Sequence, residues 1–421
     1  MVGELKDGKV QFKTVNSCIV PIGQLAGMHV VTVEGLADQS GLHPVQDEIV
    51  ACHGSQCGFC TPGFVMSLSV MLENGDPAKL ETVQQGISGN LCRCTGYRPI
   101  LQAGINALGR DYESRLQNPV FFEDTEAVSP GNVQQPSNET ALREAMIQNP
   151  QASLIAGGTD LMLEVTQRYQ PYEHLIDVSR VMELISITEA QDTYCIGASV
   201  TYTDLESFFA RRSEELVSLL QRLGSRQIRN CGTIGGNLAN GSPIADMPPV
   251  LICWNATIEL CSSLGQKRSV AINEFYRGYR QTVLRDDEYI SRIRIPKRSL
   301  KSFTRFYKSS KRIEDDISSV MGAFSFEADG SKITAARIAF GGMAATPVWL
   351  PDIEGLLIGK TVNERLLADV GEALSEAMSP LTDVRASAAY RTAMARSMLV
   401  RALNEFSGVS KPLVMALELH A

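Results

Sequence analysis

Absences narrow this chain before any motif does. Its 421 positions contain no stretch of about 18 uninterrupted apolar residues, so no segment is suited to span a bilayer as a helix. The opening MVGELKDGKVQF has no apolar h-region of the secretory type, and a cytoplasmic protein with no membrane partner is expected. Basic excess is missing too. Lys and Arg number 39 against 47 Asp and Glu, a net charge of -8, so no global positive field exists to draw in nucleic acid phosphates. Nor is this the composition of a disordered chain: 44% of residues are hydrophobic and 20% charged, and a chain of this length divides into about three domains. Internal repeats and low-complexity tracts are absent.

A disulfide framework is excluded in a reducing compartment, so clustered cysteines are read first as metal or redox ligands. The ten cysteines are unevenly placed. Cys18, Cys195, Cys231, Cys253 and Cys261 are scattered through apolar or turn sequence and read as small core residues. Cys57, Cys60, Cys92 and Cys94 form a C-x2-C and a C-x-C pair, in QCGFCTPG and GNLCRCTGYRPI. Each pair sits at a glycine turn before a helix, where backbone amides can hydrogen-bond sulfur. Four thiolates enclose one metal centre, and the spacing alone leaves a structural zinc site open beside an iron-sulfur cluster.

Along the chain, Lys9–Lys13 and His29–Val33 alternate as short strands. From His43 to about Leu108 the pattern is helical, with Pro62 opening a helix capped by Thr61 and another beginning near Pro99. Residues 113–140 are polar and proline-bearing and read as a linker. Residues 141–300 mix helices with short β runs (LIDV, YCIGA, ATIELCS, YISRIRI), an α+β pattern rather than regular βαβ repetition, and 301–421 form a further α+β unit ending in helix.

Two glycine-rich segments follow, and neither is the dinucleotide fingerprint or a Walker A loop. LIAGGTDL at 154–161 runs from an apolar strand towards a helix, and its side-chain-free backbone donors suit a diphosphate. RNCGTIGGNLANGSPIADMPPVL at 229–251 is hard to explain unless backbone lies against a ligand.

HGSQCGFCTPGFVMS with GNLCRCTGYRPI resembles the helical [2Fe-2S] domain of the xanthine dehydrogenase and aldehyde oxidase family of molybdenum hydroxylases. The glycine segments, with KSFTRFYKSSKRIEDDIS at 301–318, resemble that family's flavoprotein domains, so the likeness runs from Cys18 onward. It implies a multidomain α+β fold: a remnant β-grasp ferredoxin domain at 1–40, a helical [2Fe-2S] bundle domain at 41–112, an α+β FAD-binding domain at 141–300 and an α+β C-terminal domain at 301–421. It implies that Cys57, Cys60, Cys92 and Cys94 hold one [2Fe-2S] cluster, and that Gln56 touches the molybdenum cofactor of a partner subunit. Cys52 matches no ligand. For FAD it implies Leu154, Ile155, Ala156, Gly157, Gly158, Thr159, Asp160 and Leu161 at the diphosphate, with Thr233, Ile234, Gly235, Gly236, Asn237 and Asp246 adding contacts. Leu223, Ile290 and Lys308 match further flavin positions, although a solvated surface lysine is the plain alternative for Lys308. Glu314, Asp315 and Asp316 match the border of a nicotinamide site, or form a solvated loop.

The expected protein is therefore the small subunit of a bacterial-type hetero-oligomer. A large molybdenum subunit would oxidise a purine, and electrons would pass to FAD and then to NAD. An aldehyde-oxidising relative, a self-contained flavin reductase and a zinc-stabilised binding protein remain as alternatives. The family's second cluster needs C-x4-C-x2-C besides the cysteine matching Cys18. Those three ligands are absent, so that cluster is expected to be lost through a late start or a truncation.

Overall fold

The computed structural model describes residues 1–6, 8–39, 41–118 and 131–409. Residues 119–130, within the expected linker, and 410–421, at the end of the expected last domain, lie outside the described residues. The chain forms two compact units, Met1–Met182 with Thr201–Ser207 and Gln221–Thr233, and Glu183–Val200 with Phe208–Leu220 and Ile234 onward.

In the first unit, strand Val2–Lys6 lies antiparallel between Lys9–Lys13 and His29–Val30. The last strand is shorter than its alternation implies, because the backbone turns into a single 3-10 turn at Val33–Gly35. Four helices follow, Pro44–Ala51, Thr61–Glu73, Leu80–Gly86 and Arg98–Leu108. They enclose a core of Val45, Ile49, Phe64, Leu68, Val83 and Ile100, each at most 3% exposed. The same unit holds a small parallel sheet in the order Val133–Gln134, Leu175–Asp177, Ser153–Ile155, with helices Glu139–Gln148 and Met162–Arg168 between its strands. The sequence marked the strands at LIDV and before Gly157, but not Val133–Gln134 or the parallel βαβ pairing that joins the three, since pairing leaves no local pattern in so short a strand.

The second unit carries a two-stranded antiparallel pair, Tyr276–Gly278 with Gln281–Thr282, and two larger antiparallel sheets. One orders Lys267–Ala271, Thr257–Ser262, Glu288–Pro296, Thr193–Gly197 and Ile187–Glu189, and a bulge falls between Ile290 and Arg292. The other is a meander of Phe303–Ser309, Val320–Asp329, Lys332–Gly341 and Val348–Trp349. Helices Pro351–Leu357, Glu364–Ala377 and Ala388–Phe406 share its core, among them Val370, Leu374, Leu399 and Leu403 against Phe324 and Phe340. The fold is thus multidomain α+β. Among the described residues no helix is long and apolar enough to cross a membrane.

Candidate functional site

The four clustered cysteines come together from two turns. Cys60 is itself the N-cap of helix Thr61–Glu73, one residue earlier than expected, and the Thr61 hydroxyl instead meets Ser55 Oγ at 2.7 Å. The second pair is shaped by its own CTGY sequence. Gly96, at φ 70°, and Tyr97, at φ 69°, place two successive residues in the left-handed region, which costs a tyrosine strain but turns the chain sharply into helix Arg98–Leu108. The Tyr97 hydroxyl then accepts the Cys92 N–H at 2.9 Å, while Thr95 contacts Cys92 Sγ through its Oγ1 at 3.1 Å and its N–H at 3.4 Å.

The thiols meet across the two turns: Cys94 Sγ lies 3.6 Å from Cys57 Sγ, and Cys60 hydrogen-bonds to Cys92. The Thr95 hydroxyl and amide bring the Cys92 thiol down to about 7, and the Phe59 backbone N–H lowers Cys57. Burial raises Cys60, and the bond to Cys57 raises Cys94. Among the described residues no three His, Cys, Asp or Glu side chains converge on one point where a single metal ion would sit. Two adjacent thiol pairs suit a two-iron centre, with two ligands per iron, better than one tetrahedral ion. Cys52 packs against the helical core, and Cys18 is exposed on the 3-10 turn Ser17–Ile19.

The 154–161 loop follows strand Ser153–Ile155 in the first unit. Gly157 is needed there for a reason the sequence did not reveal. A Cβ at this position would lie 1.7 Å from the Cys231 carbonyl oxygen, so its bare face is filled by backbone of the chain itself. Gly158 has φ 70°, and among the described residues the backbone N–H groups of Gly157, Gly158 and Thr159 reach no backbone carbonyl. Three unengaged amides in succession suit an anion, and that capacity lies in the loop amides rather than in the weak dipole of the seven-residue helix that follows, Met162–Arg168. Leu154, Ala156, Thr159 and Leu161 are half-buried, Ile155 buried and Asp160 exposed. Leu223 sits in a turn held by the buried Arg229, whose guanidinium donates to the Gln221 and Gly224 carbonyls at 3.1 and 2.9 Å. Thr233 is buried and bridged to Thr201.

In the second unit, the N–H groups of Ile234 and Gly235 donate to Val200 and Ala198, so these two amides serve the fold rather than a ligand. Asn237 is different: its buried Oδ1 has no partner among the described residues and so can still accept a hydrogen bond. Gly236 is exposed. Asp246 accepts from Lys308 Nζ at 2.6 Å through Oδ2 and from the Ser318 hydroxyl through Oδ1. The Lys308 side chain is 2% exposed, which removes the surface-lysine reading. Ile290 is buried at the edge of the bulge. Asp316 is committed to its own loop, where the Arg312 and Ile317 amides outweigh burial and hold its carboxyl low. Sequence reasoning missed Arg229 and Ser318, because an arginine beside a glycine turn and a serine in a polar run carry no local signal.

Fold and residues define an iron-sulfur flavoprotein, and three family models match the chain in succession. They are the [2Fe-2S] binding domain over residues 32–104, the FAD binding domain in molybdopterin dehydrogenase over 127–298, and the CO dehydrogenase flavoprotein C-terminal domain over 305–406. The xanthine dehydrogenase of Drosophila pseudoobscura pseudoobscura is 31% identical across 94% of this chain, and that of Emericella nidulans 33% across 84%. The chain spans about a third of the length of these relatives, 34% and 31% respectively. Carbon monoxide dehydrogenase from Hydrogenophaga pseudoflava superposes with a TM-score of 0.61 at 30% identity, covering 65% of this chain and 96% of that one. Quinoline 2-oxidoreductase from Pseudomonas putida 86 gives 0.61 at 27%, covering 66% and 97%. The chain belongs to the molybdenum hydroxylases, as their iron-sulfur and FAD domains.

Proposed function

We propose that this chain is the electron-transfer subunit of a xanthine dehydrogenase-like enzyme, taking electrons from purine hydroxylation on a large molybdenum subunit and delivering them to NAD. The observation that carries this reading is the meeting of four thiols in two pairs, in a chain that also holds a flavin domain. Its curated relatives matched over most of the chain are xanthine dehydrogenases, which favours a purine over an aldehyde.

Cys57, Cys60, Cys92 and Cys94 would hold the [2Fe-2S] cluster. Leu154–Leu161, Leu223, Thr233, Ile234–Asn237, Asp246, Ile290 and Lys308 would contribute the flavin contacts. The bound groups supply the redox chemistry, and no side chain here has to act as acid, base or nucleophile. Thr95 and Tyr97 orient the Cys92 sulfur and amide, and the Phe59 amide favours a thiolate at Cys57. The exposed Gln56, with Phe59 and Leu91 exposed at 95% and 67%, belongs to the face offered to the large subunit.

The test is an absorption spectrum of the purified full chain with iron, zinc and flavin counts. About two irons and one flavin per chain are expected. One zinc without iron-sulfur absorbance, after anaerobic reconstitution, would overturn the reading. In a complex with the large subunit, xanthine and NAD together should give NADH; reduction by an aldehyde but not by a purine would refute the substrate.

A further inference from the structure

We propose that Gln24 is a positioning residue for the flavin diphosphate, an inference that rests on the assignment of the 154–161 loop to FAD. Gln24 lies in the 3-10 turn Ile22–Leu25, far in sequence from the glycine loop, yet its Nε2 donates to the Ala156 carbonyl at 2.6 Å and to Asp177 Oδ1 at 3.0 Å. Both amide protons are thereby used.

The peptide joining Ala156 to Gly157 is planar and trans, so its C=O and N–H point in opposite directions. Drawing the Ala156 oxygen onto Gln24 therefore aims the Gly157 N–H the other way. On its other side the loop packs closely against the chain, since a Cβ at Gly157 would lie 1.7 Å from the Cys231 carbonyl oxygen. With that plane set, the Gly157, Gly158 and Thr159 amides are presented as a group of anion donors rather than a loop that must reorganise on binding.

Gln24 is itself held rigidly. Gln135 Nε2 donates to the Gly23 carbonyl at 3.0 Å, and Arg180 donates to the carbonyls of Gln24, at 3.2 Å, and Ala26. Asp177 is fully buried and also accepts from Gln135 Nε2 at 3.1 Å and from the Ser179 N–H at 2.9 Å. Ile155 pairs with Asp177 in the parallel sheet, so the strand entering the loop and the acceptor holding Gln24 share one register.

The experiment measures FAD and riboflavin affinity of the deflavinated full chain by flavin fluorescence, because riboflavin lacks the diphosphate. The wild-type chain should prefer FAD. Gln24→Met and Gln24→Glu, neither of which can donate to Ala156, should each weaken FAD about tenfold, the worth of one hydrogen bond, while leaving riboflavin affinity and iron content unchanged. Equal wild-type affinity for the two flavins would remove the diphosphate assignment itself. Wild-type preference for FAD that persists undiminished in the variants would remove Gln24's role and leave the assignment standing. Should neither variant fold, hydrogen exchange of the wild-type chain decides: FAD, but not riboflavin, should protect the Gly157–Thr159 amides, and lack of that protection overturns the proposal.

Discussion

A lysine side chain only 2% exposed needs a hydrogen-bonding partner for its amino group, and Lys308 finds one in the Asp246 carboxylate. Removing one member of a buried pair leaves the other charge unpaired, at a cost of about 3–5 kcal/mol. Lys308→Met should therefore lower the unfolding free energy of the full chain by that amount, read from denaturant unfolding curves, with flavin content falling in the folded fraction. A loss below about 1 kcal/mol would mean that Ser318 alone satisfies Asp246. Residue by residue, the four clustered cysteines could be picked out from the sequence as candidate ligands, because thiol pairs at glycine turns are rare and chemically narrow. The partners of Asp246 could not, because Lys308 and Ser318 lie in a polar run that looks solvated until strand Phe303–Ser309 is paired with Val320–Asp329.

The five-stranded sheet of the second unit joins two of its strands by charge. Arg268, on strand Lys267–Ala271, donates from Nε and Nη2 to both oxygens of Glu288, at 2.7 and 2.6 Å, across the intervening strand. This bidentate bond is the main reason why the Glu288 carboxyl sits below its ordinary 4.5. A carboxyl whose folded value is depressed contributes stability above the unfolded value, and that contribution is lost as pH falls through the folded value. In Arg268→Met the folded value rises, so acid unfolding should begin at a higher pH than in the wild type. Stability at neutral pH should fall by about 1 kcal/mol, since Arg268 is partly solvated. Acid titration followed by circular dichroism checks the shift, and superimposed curves would contradict it. Elements with six or more residues were legible in the sequence, as in Thr257–Ser262 and Glu288–Pro296. In the small parallel sheet the strands at Ser153–Ile155 and Leu175–Asp177 were legible but their parallel pairing with Val133–Gln134 was not, because pairing is set by neighbours rather than by alternation.

For the whole chain, Phe59 and Leu91 flank the cysteine turns with most of their surface in solvent. Large exposed apolar side chains grouped with charged and polar neighbours mark an interaction surface. If the proposed large molybdenum subunit docks on this face, Phe59→Glu combined with Leu91→Glu should weaken co-purification with it at least about tenfold, the effect of losing two central anchors. Iron and flavin content should not change, since neither side chain supports the core. Retention of full-strength complex by the double variant would place the partner on another face.

Composition by itself excluded membrane-spanning and nucleic-acid classes, thiol spacing narrowed the centre to iron-sulfur or zinc, and the resemblance of the motif wording to a known family implied the class. A chain without membrane-length apolar runs or basic excess, with two thiol pairs and two glycine segments in a fixed order, has few chemistries open to it. Tertiary structure decided how those residues are set. It brought Cys57 to Cys94 and Cys60 to Cys92, placed Cys231 against Gly157, buried Lys308 on Asp246 and carried Gln24 to Ala156. Each of these contacts joins segments distant in the chain. Their partners are selected by the packing of whole helices and strands, which no local pattern of residues encodes.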